Sequence, residues 1–304
     1  MTTWREETVR FTPPFSINLA KTLGPLKRGR SDRTAEFDTS GIWRATRTPD
    51  GPATQRVRKI GAEIESRSWG PGAMWLAERA SVLVGCNDDT ADFPAVNEAM
   101  SKLHKQNAAF RILCTQNIWE ALIPSVLEQK VTGTEARRSY ARLVRHFGEF
   151  APRPDGAPSL VLPPDPDRVA QSQSFVFHAA GVEAKRGDTI RRAATYAHRL
   201  REAADMPKAA ASAVLLKLSG IGAWTVAEVG LVALGDADAV SVGDYHLKNW
   251  VSWNLASKPR GTDEEMLALL EPYRPHRGRV LKYLQMGGQA PPRYGPRLTI
   301  QPRY

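Results

Sequence analysis

The chain has 304 residues, 42% of them hydrophobic, which suits two domains or one large one with a substantial core. Lysine and arginine outnumber aspartate and glutamate by 42 to 32, a net charge of +10, and that excess favours a polyanionic partner, nucleic acid ahead of an anionic membrane surface. Two cysteines, Cys86 and Cys114, with no C-x-x-C, exclude a thiolate zinc site, a four-cysteine cluster and a disulfide framework. The first ten residues are charged, without the apolar stretch of a leader, and no apolar run reaches membrane-spanning length. A cytoplasmic protein without a membrane partner is the expectation.

In chain order, residues 1–95 read as a β-rich domain. The runs TVRF, IWRATR, AEIESR and MWLAERASVLVG are separated by turn signals such as TPDGPA and WGPG, a pattern of antiparallel strands, with one helix around FSINLAKTL. From residue 96 to about 290 the pattern is helical. PAVNEAMSKLHKQ is a helix, and NIWEALIPSVLEQKV opens on Asn117 as an N-cap with apolar residues at helical spacing. TGTEARRSYARLVRHFG ends at Gly148. Residues 151–166 hold six prolines and read as a loop. Helices follow over DPDRVAQSQ, KRGDTIRRAATYAHRLREA, 208–218, 223–234, 244–254, 263–272 and 276–286. Residues 291–304 read as a basic extended tail. The fold class is α+β, mostly α: a small antiparallel sheet domain followed by an all-helical core.

The stretch LSGIGAW, 218–224, breaks one good helical pattern and resumes another at once. Two short helices joined by a glycine turn form a helix–hairpin–helix. Glycine permits positive φ and leaves no side chain between the backbone and a close neighbour. The second helix then begins with free N–H groups, which together with the helix dipole bind an anion such as a DNA phosphate. A plain helical hairpin that binds nothing fits the same spacing. A dinucleotide-type G-x-G-x-x-G does not, because position 225 is Thr225 and no strand precedes the turn. Twenty residues after Trp224 lies Asp244, at the start of another amphipathic stretch. Such an aspartate reads as an N-cap, and also as a carboxylate placed beside a phosphate-binding hairpin.

LKLSGIGAWTVAEVGLVALGDADAVSVGDYHLKNW resembles the signature of the helix–hairpin–helix DNA glycosylases. Within that superfamily it is most similar to the bacterial 3-methyladenine DNA glycosylase II branch, which repairs alkylated DNA. WEALIPSVLEQKV and PYRPHRGRVLKYL resemble two further helices of the branch, and the β-rich start resembles its small antiparallel domain. The resemblance implies a monofunctional enzyme on double-stranded DNA that excises alkylated purines after flipping them out. Nothing in the sequence forces an oligomer, so a monomer is expected, and the reaction requires no cofactor and no catalytic metal or redox centre, for which the chain offers no ligands. It implies Asp244 as the catalytic carboxylate. Trp224, standing where the glycosylase/lyases carry their Schiff-base lysine, would line the base pocket. His276, where the closing motif of the branch has tryptophan, would line it too. Leu218, Ser219, Gly220, Ile221 and Gly222 would hold a phosphate, with an alkali ion on their carbonyls. Leu127, next to Glu128 and Gln129, would be the wedge left in the duplex, with Gln129 also contacting DNA. Glu228 falls where an aromatic can line the pocket.

The chemistry is self-consistent without the family. Breaking an N-glycosidic bond builds positive charge on the sugar, which one carboxylate can stabilise while it orients water. An alkylated purine is already cationic, and an electron-rich indole such as Trp224 stacks on it. Lys248, one turn after Asp244, either pairs with that carboxylate or faces solvent. His246 and His276 are pocket candidates or ordinary surface histidines. A DNA-binding protein without catalysis is one competing reading, and a glycosylase with a different damaged-base specificity is another; a glycosylase/lyase needs an amine near the sugar, but position 224 is tryptophan and Lys217 lies before the hairpin.

Overall fold

The computed structural model describes residues 5–94 and 96–292. Five strands form one antiparallel sheet: β1 (Glu6–Phe11), β2 (Ala35–Asp38), β3 (Gly41–Thr48), β4 (Gly51–Ile60) and β5 (Glu63–Trp69), in the order β1-β5-β4-β3-β2. The expected strands TVRF, IWRATR and AEIESR are present. β4 falls on PATQRVRKI, where the arginines and glutamine masked the alternation. A short helix, α1 (Leu19–Leu23), follows β1, capped by Asn18.

MWLAERASVLVG is not a strand, contrary to expectation. It forms α2 (Ala73–Glu78) and α3 (Ala80–Leu83). The buried positions explain why: Ala73, Leu76, Ala80 and Leu83 are all within 1% of full burial, and their 3-4-3 spacing is the helical period, not the two-residue one.

The sheet is covered on both faces. Ile42, Val57 and Ile64 pack with Leu23, Leu83 and Leu113. On the other face Trp43 and Trp69 stack, centroids 5.5 Å apart, beneath Ala151, Ala157 and Leu160 of the proline-rich segment. That segment is therefore a strap across the sheet, pinned by a bridge between Phe150 and Val161. On the same face Glu65 is ringed by Arg10, Arg56 and Arg58, which hold its carboxyl down to about 2 against the cost of burial.

The helical part begins with α4 (Glu98–Gln106), α5 (Ile118–Leu127) and α6 (Gly133–Phe147). Asn117 caps α5 through Glu120 N at 3.1 Å, as its position predicts. Next come α7 (Pro166–Gln171), α8 (Ser174–Ala179), α9 (Ala184–Thr195), α10 (Ala197–Ala203) and α11 (Lys208–Leu216). The last four are α12 (Ala223–Ala233), α13 (Leu247–Ala256), α14 (Asp263–Leu270) and α15 (Arg277–Gly287). The Arg-rich run expected as one helix is split between α9 and α10, and α8 was not expected.

Two apolar clusters organise these helices. One gathers α5 to α12 around residues such as Leu122, Leu143, Phe177 and Leu215. The other gathers α4 and α13–α15 around Met100, Val251, Tyr273 and Leu284. Helix α12 belongs to both, giving Val229 and Ala233 to the first and Ala227 and Leu231 to the second. This explains why its sequence is apolar all round. No helix among the described residues is long and apolar enough to cross a membrane. Residues 293–304, most of the basic tail, lie outside the described residues.

Candidate active site

The turn between α11 and α12 is built by two glycines with different tasks. Gly220 has φ +93°, and a methyl on it would collide with the Thr189 hydroxyl of α9. Only glycine fits there, for backbone and for space. Gly222 is extended at φ −110° and ψ −178°, with open space around the position of a Cβ. Its smallness serves nothing inside the protein. It caps α12 without a side chain, so the first N–H groups of that helix have no side-chain acceptor. Leu218 and Ile221 point inward, 8% and 6% exposed, while Ser219, Gly220 and Gly222 are exposed.

Side chains brace this hairpin from behind. Gln129 Nε2 donates to Gly220 O at 3.0 Å and to Thr225 Oγ1 at 2.9 Å. Arg192 Nη1 donates to Ser219 O at 2.9 Å. Gln129 is thus committed to shaping the hairpin, and its amide hydrogens are not free for DNA as the sequence had suggested.

Asp244 sits just ahead of α13 and divides its two oxygens. Oδ1 accepts from the backbone N–H groups of His246 at 2.8 Å and Leu247 at 2.9 Å. Oδ2 accepts from Trp224 Nε1 at 3.1 Å. One oxygen therefore performs the capping that an aspartate at a helix entrance ordinarily does. The other is fixed by an indole from α12, and Asp244 lines a cleft of about 250 Å³. The two readings of Asp244 are compatible.

The cleft lies where the two helical clusters meet. From α12 come Trp224 and Glu228, four residues apart and so on one face. The α13 side gives His246, Leu247 and Trp250, and α15 gives Lys282 and Gln285. Glu128, just past the end of α5, closes the wall. Glu228 accepts a short hydrogen bond from the fully buried Ser241 hydroxyl. Burial raises the Glu128 carboxyl, the Glu228 charge pushes the same way, and Arg28, 4.0 Å away, and Lys282 oppose it. The site thus combines two indole surfaces with an array of carboxyls, an ammonium and a carboxamide.

Two expectations are corrected. Leu127 is fully buried in the larger helical cluster and cannot act as a wedge. The exposed residue of that turn is Lys130, at φ +55°. His276 does not line the cleft. It is 3% exposed, and its Nε2 lies 2.8 Å from Asp92 Oδ1 while Nδ1 accepts from Arg279 Nε at 3.2 Å. Arg279 itself is fully buried against Asp88. His276 thus belongs to a polar network at the foot of α15. Lys248 pairs with Asp263 at 3.6 Å, not with Asp244.

Glu128, Trp250, Lys282 and Gln285 escaped the sequence reading. The only signal was their spacing: Lys282 and Gln285 share a face of α15, but nothing in sequence says that this face looks at Asp244.

Among solved structures, a 3-methyladenine DNA glycosylase from Archaeoglobus fulgidus superposes with a TM-score of 0.76 at 16% identity, over 91% of this chain and 97% of that one. An 8-oxoguanine glycosylase/lyase from Clostridium acetobutylicum gives 0.69 at 14% identity, over 93% and 98%. The 3-methyladenine DNA glycosylase Mag1 of Schizosaccharomyces pombe, solved with abasic DNA, gives 0.51 at 19% identity, over 62% and 90%. No family model matches the chain, and no curated protein matches it in sequence. The chain has the fold of the helix–hairpin–helix DNA glycosylases.

Proposed function

We propose that this protein is a DNA N-glycosylase that hydrolyses the bond between an alkylated purine and its deoxyribose in duplex DNA. The observation that carries this reading is Asp244: one oxygen is anchored by two backbone N–H groups, and the other is held by Trp224 Nε1 in a cleft beside the hairpin. The hairpin grips a phosphate through the free N–H groups of α12, a contact blind to sequence. That grip offsets the few kcal/mol needed to flip a nucleotide out of the stack. The flipped base enters between the indoles of Trp224 and Trp250, where a cationic purine gains on the order of 1–2 kcal/mol from stacking. As the bond lengthens, the sugar gains positive charge beside Asp244. A fixed carboxylate stabilises that charge without reorganising, and the same group orients the attacking water.

The test is release of free base from alkylated duplex DNA by wild type and by Asp244→Asn, with strand integrity followed in the same sample. Release without nicking, lost in a mutant that still binds DNA, is the expected result. DNA binding with no release from any alkylated duplex leaves a DNA-binding protein instead.

One observation favours a second reading, a glycosylase/lyase. Position 224 is tryptophan, yet Lys282 brings an amine into the cleft. If that amine attacks the sugar carbon, borohydride traps a covalent adduct and strands are nicked. If water attacks, neither occurs.

A further inference from the structure

The resemblance to the glycosylases implies an alkali ion on the hairpin carbonyls, and the hydrogen bonds of this chain disagree. Ser219 O accepts from Arg192 Nη1 at 2.9 Å, and Gly220 O from Gln129 Nε2 at 3.0 Å. Leu218 O accepts from the backbone N–H of Ile221 at 3.0 Å, and Gly222 O from that of Val226 at 3.0 Å. An alkali ion that gives up its water needs several carbonyl oxygens turned on one point. Here they are committed to separate partners on α9, past the end of α5, and within the turn and α12. We infer that the hairpin carries its own cation: the Arg192 guanidinium on Ser219 O takes the place of an alkali ion, and the hairpin grips a DNA phosphate without one. The phosphate half of this inference rests on the glycosylase reading above; the occupied carbonyls do not.

Helix α9 holds Arg192 at that place. Thr189 lies three residues earlier, on the same face of the helix. Its hydroxyl comes so close to Gly220 that a Cβ there would collide with it. The absence of a side chain at Gly220 thus lets this face of α9 come against the turn, and the guanidinium reaches the carbonyl of the preceding residue. The neighbouring Arg191 pairs with Asp188 at 3.4 Å. Arg192 is exposed and forms no ion pair among the described residues, so no carboxylate cancels its charge.

A carbonyl oxygen has two lone pairs, so one hydrogen bond by itself leaves room for a metal ion. Charge closes that room. A guanidinium on Ser219 O repels a second cation on the adjacent carbonyls, well within the distance over which salt screens. What an ion on these oxygens would supply is also in place already. A phosphate received by the N–H groups of α12 meets, close by, the negative ends of the hairpin's own C=O dipoles. A positive charge fixed on one of them offsets that repulsion. Arginine suits the task because its guanidinium is always charged and more weakly hydrated than an ammonium. Being tethered, it also gives up no translational freedom, unlike an ion taken from solution.

The experiment compares DNA affinity in potassium, sodium and tetramethylammonium chloride at one ionic strength. Tetramethylammonium screens phosphates but is too large to sit among carbonyl oxygens. The probe is a duplex with a reduced abasic site, which no variant can hydrolyse, and binding is read by anisotropy. The proteins are wild type, Arg192→Met and Arg192→Lys, each checked for an unchanged thermal melt. Exchanging either alkali ion for tetramethylammonium should change wild-type affinity by less than about twofold. In Arg192→Met the vacated carbonyl takes an alkali ion, so the same exchange should weaken binding by about threefold or more. Arg192→Lys keeps the charge and should respond as wild type does. A wild type that loses affinity in tetramethylammonium as much as Arg192→Met needs the ion, and the inference fails. It fails too if the exchange leaves Arg192→Met unaffected, because the guanidinium then stands for no cation. A response of Arg192→Lys like that of Arg192→Met assigns the effect to shape and overturns it as well. In each of these cases the glycosylase reading survives. A wild type that binds no duplex in any of these salts overturns both.

Discussion

The hairpin and the cleft are neighbours, but they are built in opposite ways. The hairpin is five consecutive residues, 218–222, whose exposed part is almost entirely backbone. Its braces, Gln129 and Arg192, act on carbonyl groups, so they hold a shape rather than present a chemistry. The cleft takes its groups from α12, from α13 and its entrance, from α15 and from the end of α5, and they bring carboxyls, indoles, an ammonium and a carboxamide together. Backbone amides grip what every stretch of DNA shares, its phosphates. Distinct side chains converging from distant segments read what differs between bases. Under the proposed glycosylase reading, one region fixes where the protein sits on DNA and the other which base it releases.

The largest expected effect breaks the two apart. In Asp244→Asn the hairpin is untouched, and the amide keeps an oxygen for the backbone N–H groups of His246 and Leu247. Base release should fall about 10²–10³-fold or more, the scale for loss of a preorganised electrostatic group. DNA affinity measured by anisotropy should change less than about threefold, on the expectation that phosphate contacts dominate it. Equal losses in both assays would mean that the regions are not separable.

Gly220→Ala strikes the hairpin from inside. The new methyl meets the Thr189 hydroxyl, and φ +93° strains any L-residue. A destabilisation of about 1–3 kcal/mol in chemical denaturation is expected. DNA binding should drop with it, since the turn cannot keep its shape. An unchanged midpoint would show that the turn has room the structure does not reveal.

Trp224→Phe acts at the seam. It keeps an aromatic surface but removes the donor to Asp244 Oδ2. A hydrogen bond to a charged group contributes roughly 1.5–3 kcal/mol, and this one is part-exposed, so a loss of about tenfold in kcat is expected with little change in affinity. A loss equal to that of Asp244→Asn would assign the indole a larger role than orientation.

How much of this was legible follows the same division. The hairpin was readable because its signal is local: two glycines between two helical patterns. Asp244 was readable because capping and catalysis both put it at a helix entrance. The cleft was not, since Glu128 and Lys282 become neighbours only through tertiary packing. Leu127 misled for a related reason. Its helical spacing marks a core residue and carries no sign of exposure, and the structure buries it completely. His276 was placed by resemblance alone, and its contacts with Asp92 and Arg279 could not be foreseen from spacing. Beside the sheet, residues 73–84 mimic a strand in sequence because that run is apolar on more than one face, yet they fold as α2 and α3. β4 was missed because arginines stand on the strap side, where Glu65 and the tryptophan rings receive them.

Acidity separates the regions once more. The hairpin residues 218–222 carry no titratable side chain, whereas the cleft carries Glu128, raised by burial and by Glu228. A carboxyl raised in the folded state binds its proton more tightly folded than unfolded. Its contribution is fully present below the unfolded carboxylate range and is lost as pH rises through the folded value. Glu128→Gln should therefore flatten the decline of stability between mildly acidic and neutral pH, read from denaturant midpoints. A variant with the wild-type slope would show that Glu128 is solvated well enough to ionise freely.

The smallest effect is the sharpest test of the hairpin. Gly222 is extended and has open space where a Cβ would stand, so Gly222→Ala should cost only the roughly 1 kcal/mol that separates alanine from glycine at an N-cap. Glycine at such a place suits an N-cap and also leaves room for something that approaches from outside. If a phosphate backbone comes against it, the methyl should weaken DNA binding several-fold and lessen base release at subsaturating DNA, while release at saturation stays near wild type. Unaltered affinity would show that the approach is looser than the backbone geometry implies, and the free N–H groups of α12 would then have to act through a bridging water or ion. Gly220 and Gly222, two positions apart, thus give different predictions from one local sequence: the fold requires the first, and the proposed phosphate contact requires the second.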